Sequence, residues 1–421
     1  MRKLTLHESG EIKCWTPRTY KIISGLLIIS LFFKLLWTFR STLWTINLNS
    51  WQYSEFLINF EGGFVRRGLV GQLLYEFYKF SGIQPQYIII PTCIIAYASA
   101  LCFSLRKFKE KNLCWWILIS PFVFGYTSDI IRKDFLLCCL MILMLILVKN
   151  EHPGLGRRLI AIAIACLSIF IHEAFIFWGV PLFGLYLISR HGQRIVNLLL
   201  LSLPVASFIL MSYYKGNIEV SHLIVDSWNN ILPNKPIDNI DTSIGAIGWE
   251  TIDTIKFHIR LNFSSGTSGM AFFVRPITML CAYYLFTNFL FVFKGNNTGR
   301  IEFSTLFVCA IIFLSPMFLI LSCDYGRLYQ YATISTLAAF LIFNQAQITS
   351  MFPTRVLRLI DSANNYLTRF IIPSKGLMIV LLFLLAPSPA QFIPIGSLGN
   401  TLFIALMKPM IFIGKNLIYL L

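Results

Sequence analysis

Long apolar runs, parted by short basic or polar segments, dominate this chain. Runs able to cross a bilayer fall at 21–39, 87–105, 112–128, 135–148, 159–175, 176–189, 195–213, 271–293, 303–322, 329–347 and 377–396. A weaker run at 401–421 is interrupted by Lys408 and Lys415. Several fall short of the ~20 residues that a spanning helix needs, which predicts tilt or local thinning. The pattern predicts an all-α fold over 1–421, a single integral-membrane domain with about 11 or 12 transmembrane helices. No small-residue cleavage site follows the first run, so it is expected to be a retained span rather than a signal peptide.

Basic residues give the expected spans a direction. With the N-terminus inside, Arg106, Lys107, Lys109, Lys111, Lys149, Arg157, Arg158, Arg190, Arg194, Lys294 and Arg300 fall in inner segments. The outer face then carries a first segment at 40–86, a short loop at 127–134 and a long loop at 214–270. At 349–375 an inner segment spaces Arg355, Arg358 and Arg369 along an apolar helical pattern (Leu359, Tyr366, Phe370), as expected of a helix lying on an anionic leaflet. No transporter-type internal repeat is visible.

Composition agrees with this class. Of 421 residues, 56% are hydrophobic and only 13% charged, too little polar surface for a soluble domain. The net charge of +16 reads as a topology signal, so no nucleic-acid partner is expected. None of the ten cysteines forms a CxxC pair, and no metal, cofactor or disulfide framework is expected.

Four ionisable groups share the expected outer face. In Glu61-Gly62-Gly63-Phe64-Val65-Arg66-Arg67-Gly68, two arginines and a carboxylate stand among glycines that would let backbone N–H groups approach an anion. Leu69, Leu73, Leu74 and Phe77 then alternate with Gln72, Glu76 and Lys79, predicting a short interfacial helix. A plain membrane anchor would use the same pattern. The second group is Asp129, Arg132, Lys133 and Asp134, which could simply compensate one another. The third is His172 with Glu173, either of which could act as a general base. The fourth is Asp324-Tyr325-Gly326-Arg327, where Asp and Arg could pair or the arginine could grip phosphate. Trp228 and Trp249, among Asp226, Asp238 and Asp241, have the composition of a sugar-binding surface, although Trp also marks membrane interfaces.

Phosphate-binding cations, a base and a polar loop suit a lipid-linked diphosphate sugar. No Walker A sequence is present, so the activated lipid would supply the driving force. In layout the chain resembles bacterial polysaccharide repeat-unit polymerases of the Wzy type, the O-antigen and capsule polymerases. These are multi-span inner-membrane proteins with a long periplasmic loop and functional periplasmic arginines. The resemblance implies a glycosyltransferase that polymerises undecaprenyl-diphosphate-linked repeat units, with a chain-length regulator and a flippase as partners. It implies diphosphate contacts from Arg66, Arg67, Arg132, Lys133 and Arg327. Catalysis would fall to His172, Glu173 and Glu61, and glycan contacts to Asp324, Trp228, Trp249, Asp238 and Asp241. A competing resemblance is to the GT-C group, which uses polyprenyl-phosphate sugars and an acidic residue in the first outer loop. Glu55 or Glu61 would fill that role, although the Asp-x-Asp or Glu-x-Asp pair is missing. A lipid-linked glycan flippase is the third expectation, disfavoured by central runs nearly free of charge.

Overall fold

The computed structural model describes residues 50–113, 130–150, 153–189, 194–232, 242–250, 252–256, 299–318 and 325–370, with a few isolated positions elsewhere. These residues are helical, and no strand occurs among them. The expected spans at 21–39, 271–293, 377–396 and 401–421, and most of 112–128, lie outside the described residues apart from isolated positions.

Among the described residues, two helices are long and apolar enough to cross a membrane: α3 (Gln86–Glu110) and α8 (Arg194–Tyr213). They coincide with the runs at 87–105 and 195–213. Other runs give shorter helices, α4 (Asp134–Val148), α5 (Leu155–Ile171), α10 (Arg300–Pro316) and α11 (Tyr325–Ile342). At 1.5 Å per residue a 15-residue helix such as α4 is about 22 Å long, less than a hydrocarbon core. The run at 176–189 is not one helix. It breaks at Gly179 into α6 (Phe175–Trp178) and α7 (Val180–Ile188), where Pro181 lacks the N–H that would continue the ladder. The run at 329–347 also ends early. Asn344 accepts from the Gln347 N–H while Gln347 caps Asn344 in return, and this capping box starts α12 (Gln345–Ser350). The last described helix is α13 (Thr354–Phe370).

Side chains tie the helix ends into two poles. At one, Lys111 Nζ donates to the carbonyls of Phe340 and Phe343, the latter at 3.2 Å. Gln347 Nε2 reaches Lys149 O at 2.6 Å and Tyr186 Oη at 3.1 Å. Arg158 donates to Asn197 Oδ1 at 2.8 Å. The basic segments after α3 and α4 therefore meet at this pole. The opposite pole gathers the ends of α4, α5 and α11 with α1 (Trp51–Phe56) and α2 (Gly68–Ser81).

A helix, α2, stands where a short helix is expected, with exposed Leu73 and Phe77 on one stripe. The 214–270 segment differs from the expected loop. It contains α9 (Ile218–Ile231) and a 3₁₀ turn at Gly245–Gly248 that pack on α1 and α2 around Leu57, Ile58, Val65, Ile224 and Ile247. Asn59 Nδ2 to Ser227 Oγ (2.9 Å) and Tyr78 Oη to Ile231 O (3.0 Å) fix this cap.

Candidate functional site

The glycine turn is built for packing. A Cβ on Gly62 would meet Val220 O at 2.9 Å, so the missing side chain admits α9, not a ligand. Gly63 has φ +107°, and the turn closes through Arg66 N–H to Tyr214 O at 2.8 Å. Gly62 is thus occupied by packing, while a Cβ on Gly63 would meet nothing within 4 Å. The strained residue is Arg67, a non-glycine at φ 64°, ψ 0°, a conformation costing about 1–2 kcal/mol. Lys133 Nζ donates to the Arg67 carbonyl (3.3 Å) and to Ile171 O (3.4 Å), pinning that backbone to the end of α5.

From this turn Arg67 reaches inward. Its Nε donates to Glu173 Oε2 at 2.8 Å and its Nη2 to Oε1 at 2.5 Å, a bidentate clamp. Arg67 Nη1 also lies 3.8 Å from Glu55 Oε1. Arg66 Nη1 stands 3.7 Å from Glu173, with its Nε buried and without a hydrogen-bond acceptor among the described residues.

The centre of the cluster is Glu55, 1% exposed on α1. Its Oε1 lies 3.2 Å from His172 Nε2. His172 Nδ1 accepts the Ala174 N–H at 3.2 Å, which assigns the ring proton to Nε2, facing the carboxylate. Both imidazole nitrogens are therefore engaged. His172, expected as a general base, is buried with Nε2 beside Glu55 and Nδ1 on the Ala174 N–H. Glu55 Oε1 and Oε2 are both buried, and neither accepts a hydrogen bond of good geometry among the described residues. Burial alone would raise the Glu55 carboxyl, but His172, Arg327 and Arg67 outweigh it and hold the group well below the usual carboxylate range.

A second clamp joins α4 to α11. Arg327 Nε donates to Asp134 Oδ2 (2.9 Å) and Nη2 to Oδ1 (2.7 Å), while Tyr331 Oη donates to Oδ1 (2.6 Å). The Tyr331 ring is stacked on Trp178 at 4.8 Å. Arg327 thus pairs with Asp134, and Asp324, its expected partner, lies outside the described residues. Asp134 is bound across the bundle rather than compensated only by its neighbours. Arg132 is buried and electrostatically coupled to Asp134. Lys133 is fully buried, with Nζ 5.6 Å from the Phe56 ring, and burial pushes its ammonium down to about 8.

Among the described residues, Arg66, Arg67, Arg132, Lys133 and Arg327 therefore meet Glu55, Glu173 and Asp134, five cations against three carboxylates. The expected convergence of the second, third and fourth groups with the arginine pair holds in space. Glu61 does not join them. It accepts from Gln72 Nε2 at 3.3 Å and lies 4.0 Å from Lys79 on the surface. Trp228 is also corrected, because its ring is fully buried against Tyr75, with Nε1 donating to Leu57 O at 2.6 Å. No sugar can stack on it there. Trp249 lies half-buried, its ring 6.4 Å from Trp51. Asp129, Asp238 and Asp241 lie outside the described residues. Sequence reasoning missed Tyr331 at the site, though it sits four residues after Arg327 and so on the same helical face. Among the described residues no cluster of His, Cys, Asp and Glu is arranged to hold a metal ion. No protein-family model, curated protein or solved structure matches the chain.

Proposed function

We propose that the chain is a multi-pass protein of the bacterial inner membrane, N-terminus in the cytoplasm, that transfers glycans from a polyprenyl-diphosphate carrier. The pole holding Glu55, Arg66 and Arg67 then faces the periplasm, and the Lys111–Lys149 pole faces inward, in keeping with the positive-inside bias. The observation that carries the reading is a buried carboxylate, Glu55, whose oxygens accept no hydrogen bond of good geometry among the described residues, inside a cluster where the described cations outnumber the described carboxylates. Such an oxygen can accept the proton of an acceptor hydroxyl. That hydroxyl oxygen bonds to the anomeric carbon as the carbon–diphosphate bond breaks, and the diphosphate leaves with the electron pair. Arg66 and Arg67 offset its charge. His172 orients Glu55, and Lys133 and Glu173 hold the arginine pair.

On this reading the product is a longer polymer of undecaprenyl-diphosphate-linked repeat units. Deletion in the native host followed by a gel of surface polysaccharide tests it. Loss of long chains with single units retained supports polymerisation. Accumulation of units facing the cytoplasm points to a flippase and overturns the reading. A second reading, a GT-C-like transferase using a polyprenyl-phosphate sugar, is favoured by the place of Glu55 in the first outer segment. Loss of one sugar from every unit would select it.

A further inference from the structure

We infer that α13 is an anionic-lipid-binding helix that lies flat on the leaflet at the basic pole. One side of α13 is docked. Asn364 is 2% exposed and its Nδ2 donates to Ser304 Oγ of α10 at 3.1 Å. A different side turns outward with an apolar stripe, where Leu359 is 70% and Tyr366 63% exposed, with Val356 and Ala363 also uncovered. Their spacing of three and four residues puts them on one face of the helix.

Arg355 and Arg358 stand exposed beside this stripe. The neighbourhood adds charge of the same sign. Lys111 and the Lys149 backbone meet α11 and α12 just before α13 begins, and Arg106 and Lys107 crown the same end of α3. Glu110 and the half-buried Asp361 only partly offset them. An exposed apolar stripe with a cationic flank matches the boundary between acyl chains and anionic headgroups, which attract basic residues near the surface. The α12 capping box and the Asn364–Ser304 bond hold the helix across the bundle end. This inference is independent of the glycan-transfer reading.

The test is hydrogen–deuterium exchange of the α13 peptides in the full chain, reconstituted three ways: in nanodiscs of equal phosphatidylglycerol and phosphatidylcholine, in discs of phosphatidylcholine alone, and in detergent. Slow exchange is expected in the anionic discs, roughly tenfold faster without phosphatidylglycerol. Arg355→Glu with Arg358→Glu should abolish that lipid dependence without altering the stripe. Leu359→Glu should speed exchange in both kinds of disc. Equal protection in detergent and in both discs would mean that protein covers the stripe, and the inference would be overturned. Protection in both discs alike, lost only in detergent, would equally remove the anionic-lipid claim.

Discussion

Glu55 Oε1 sits 3.2 Å from His172 Nε2, joining the first described helix to the end of α5. Neither Glu55 oxygen meets a hydrogen-bond donor in good geometry among the described residues, and under the proposed function this carboxylate is the proton acceptor. Glu55→Gln keeps the shape and removes the basicity, so transfer should fall by roughly 10²–10⁴-fold while membrane insertion is unchanged. His172→Gln, which keeps a donor toward Glu55, should cost less than His172→Ala. Chain-length profiles of the three variants check this order. Full activity in Glu55→Gln would place the base elsewhere.

Arg67 and Arg66 make opposite predictions. Arg67 is locked in a half-buried bidentate pair, so Glu173→Gln leaves its charge only partly compensated, at a cost of about 1.5–3 kcal/mol for the charged hydrogen bonds lost. A lowered thermal midpoint of the purified protein is expected. Arg66 is only loosely paired and more exposed, so Arg66→Ala should leave the midpoint near wild type and weaken binding of a polyprenyl diphosphate. Equal thermal losses in both variants would mean that Arg66 is structural.

Lys133 gives a pH signature. Its ammonium falls to about 8 through burial, below the ~10.4 of an unfolded lysine. Between those values the unfolded chain binds more protons, so stability rises with pH across that window and is lowest where Lys133 is charged. Lys133→Met should flatten the pH dependence of the thermal midpoint from about pH 8 to 10. An unchanged slope would show that Lys133 retains its charge throughout.

What the sequence made legible follows from which signals are local. The α3 and α8 spans and the α2 stripe rest on composition within one window, and those elements appear where expected. The choice of partners did not. Asp134 directly follows Arg132 and Lys133 in sequence, yet its carboxylate is held by Arg327 across the bundle. Glu61 adjoins the arginines in sequence but faces Lys79, whereas Glu55 reaches Arg67 because α1 turns its buried face inward. The glycines looked like an anion turn because sequence alone cannot tell a close approach to a ligand from a close approach to Val220.

Trp228 separates a packing role from a binding one. Its ring fills the space between Tyr75 and Leu57, with the indole N–H satisfied by the Leu57 carbonyl. Trp228→Ala should cost about 3–5 kcal/mol through the cavity left behind. Trp228→Phe should cost less, mainly through the Leu57 carbonyl left without its donor. Because α9 clamps the Gly62 turn, loosening it should also release the strained Arg67 backbone, and activity should fall in step with the thermal midpoint across the two variants. Trp249→Ala, at a half-buried position, should leave the midpoint close to wild type. A Trp228→Ala protein with a normal midpoint and an altered repeat-unit preference would return Trp228 to the glycan site.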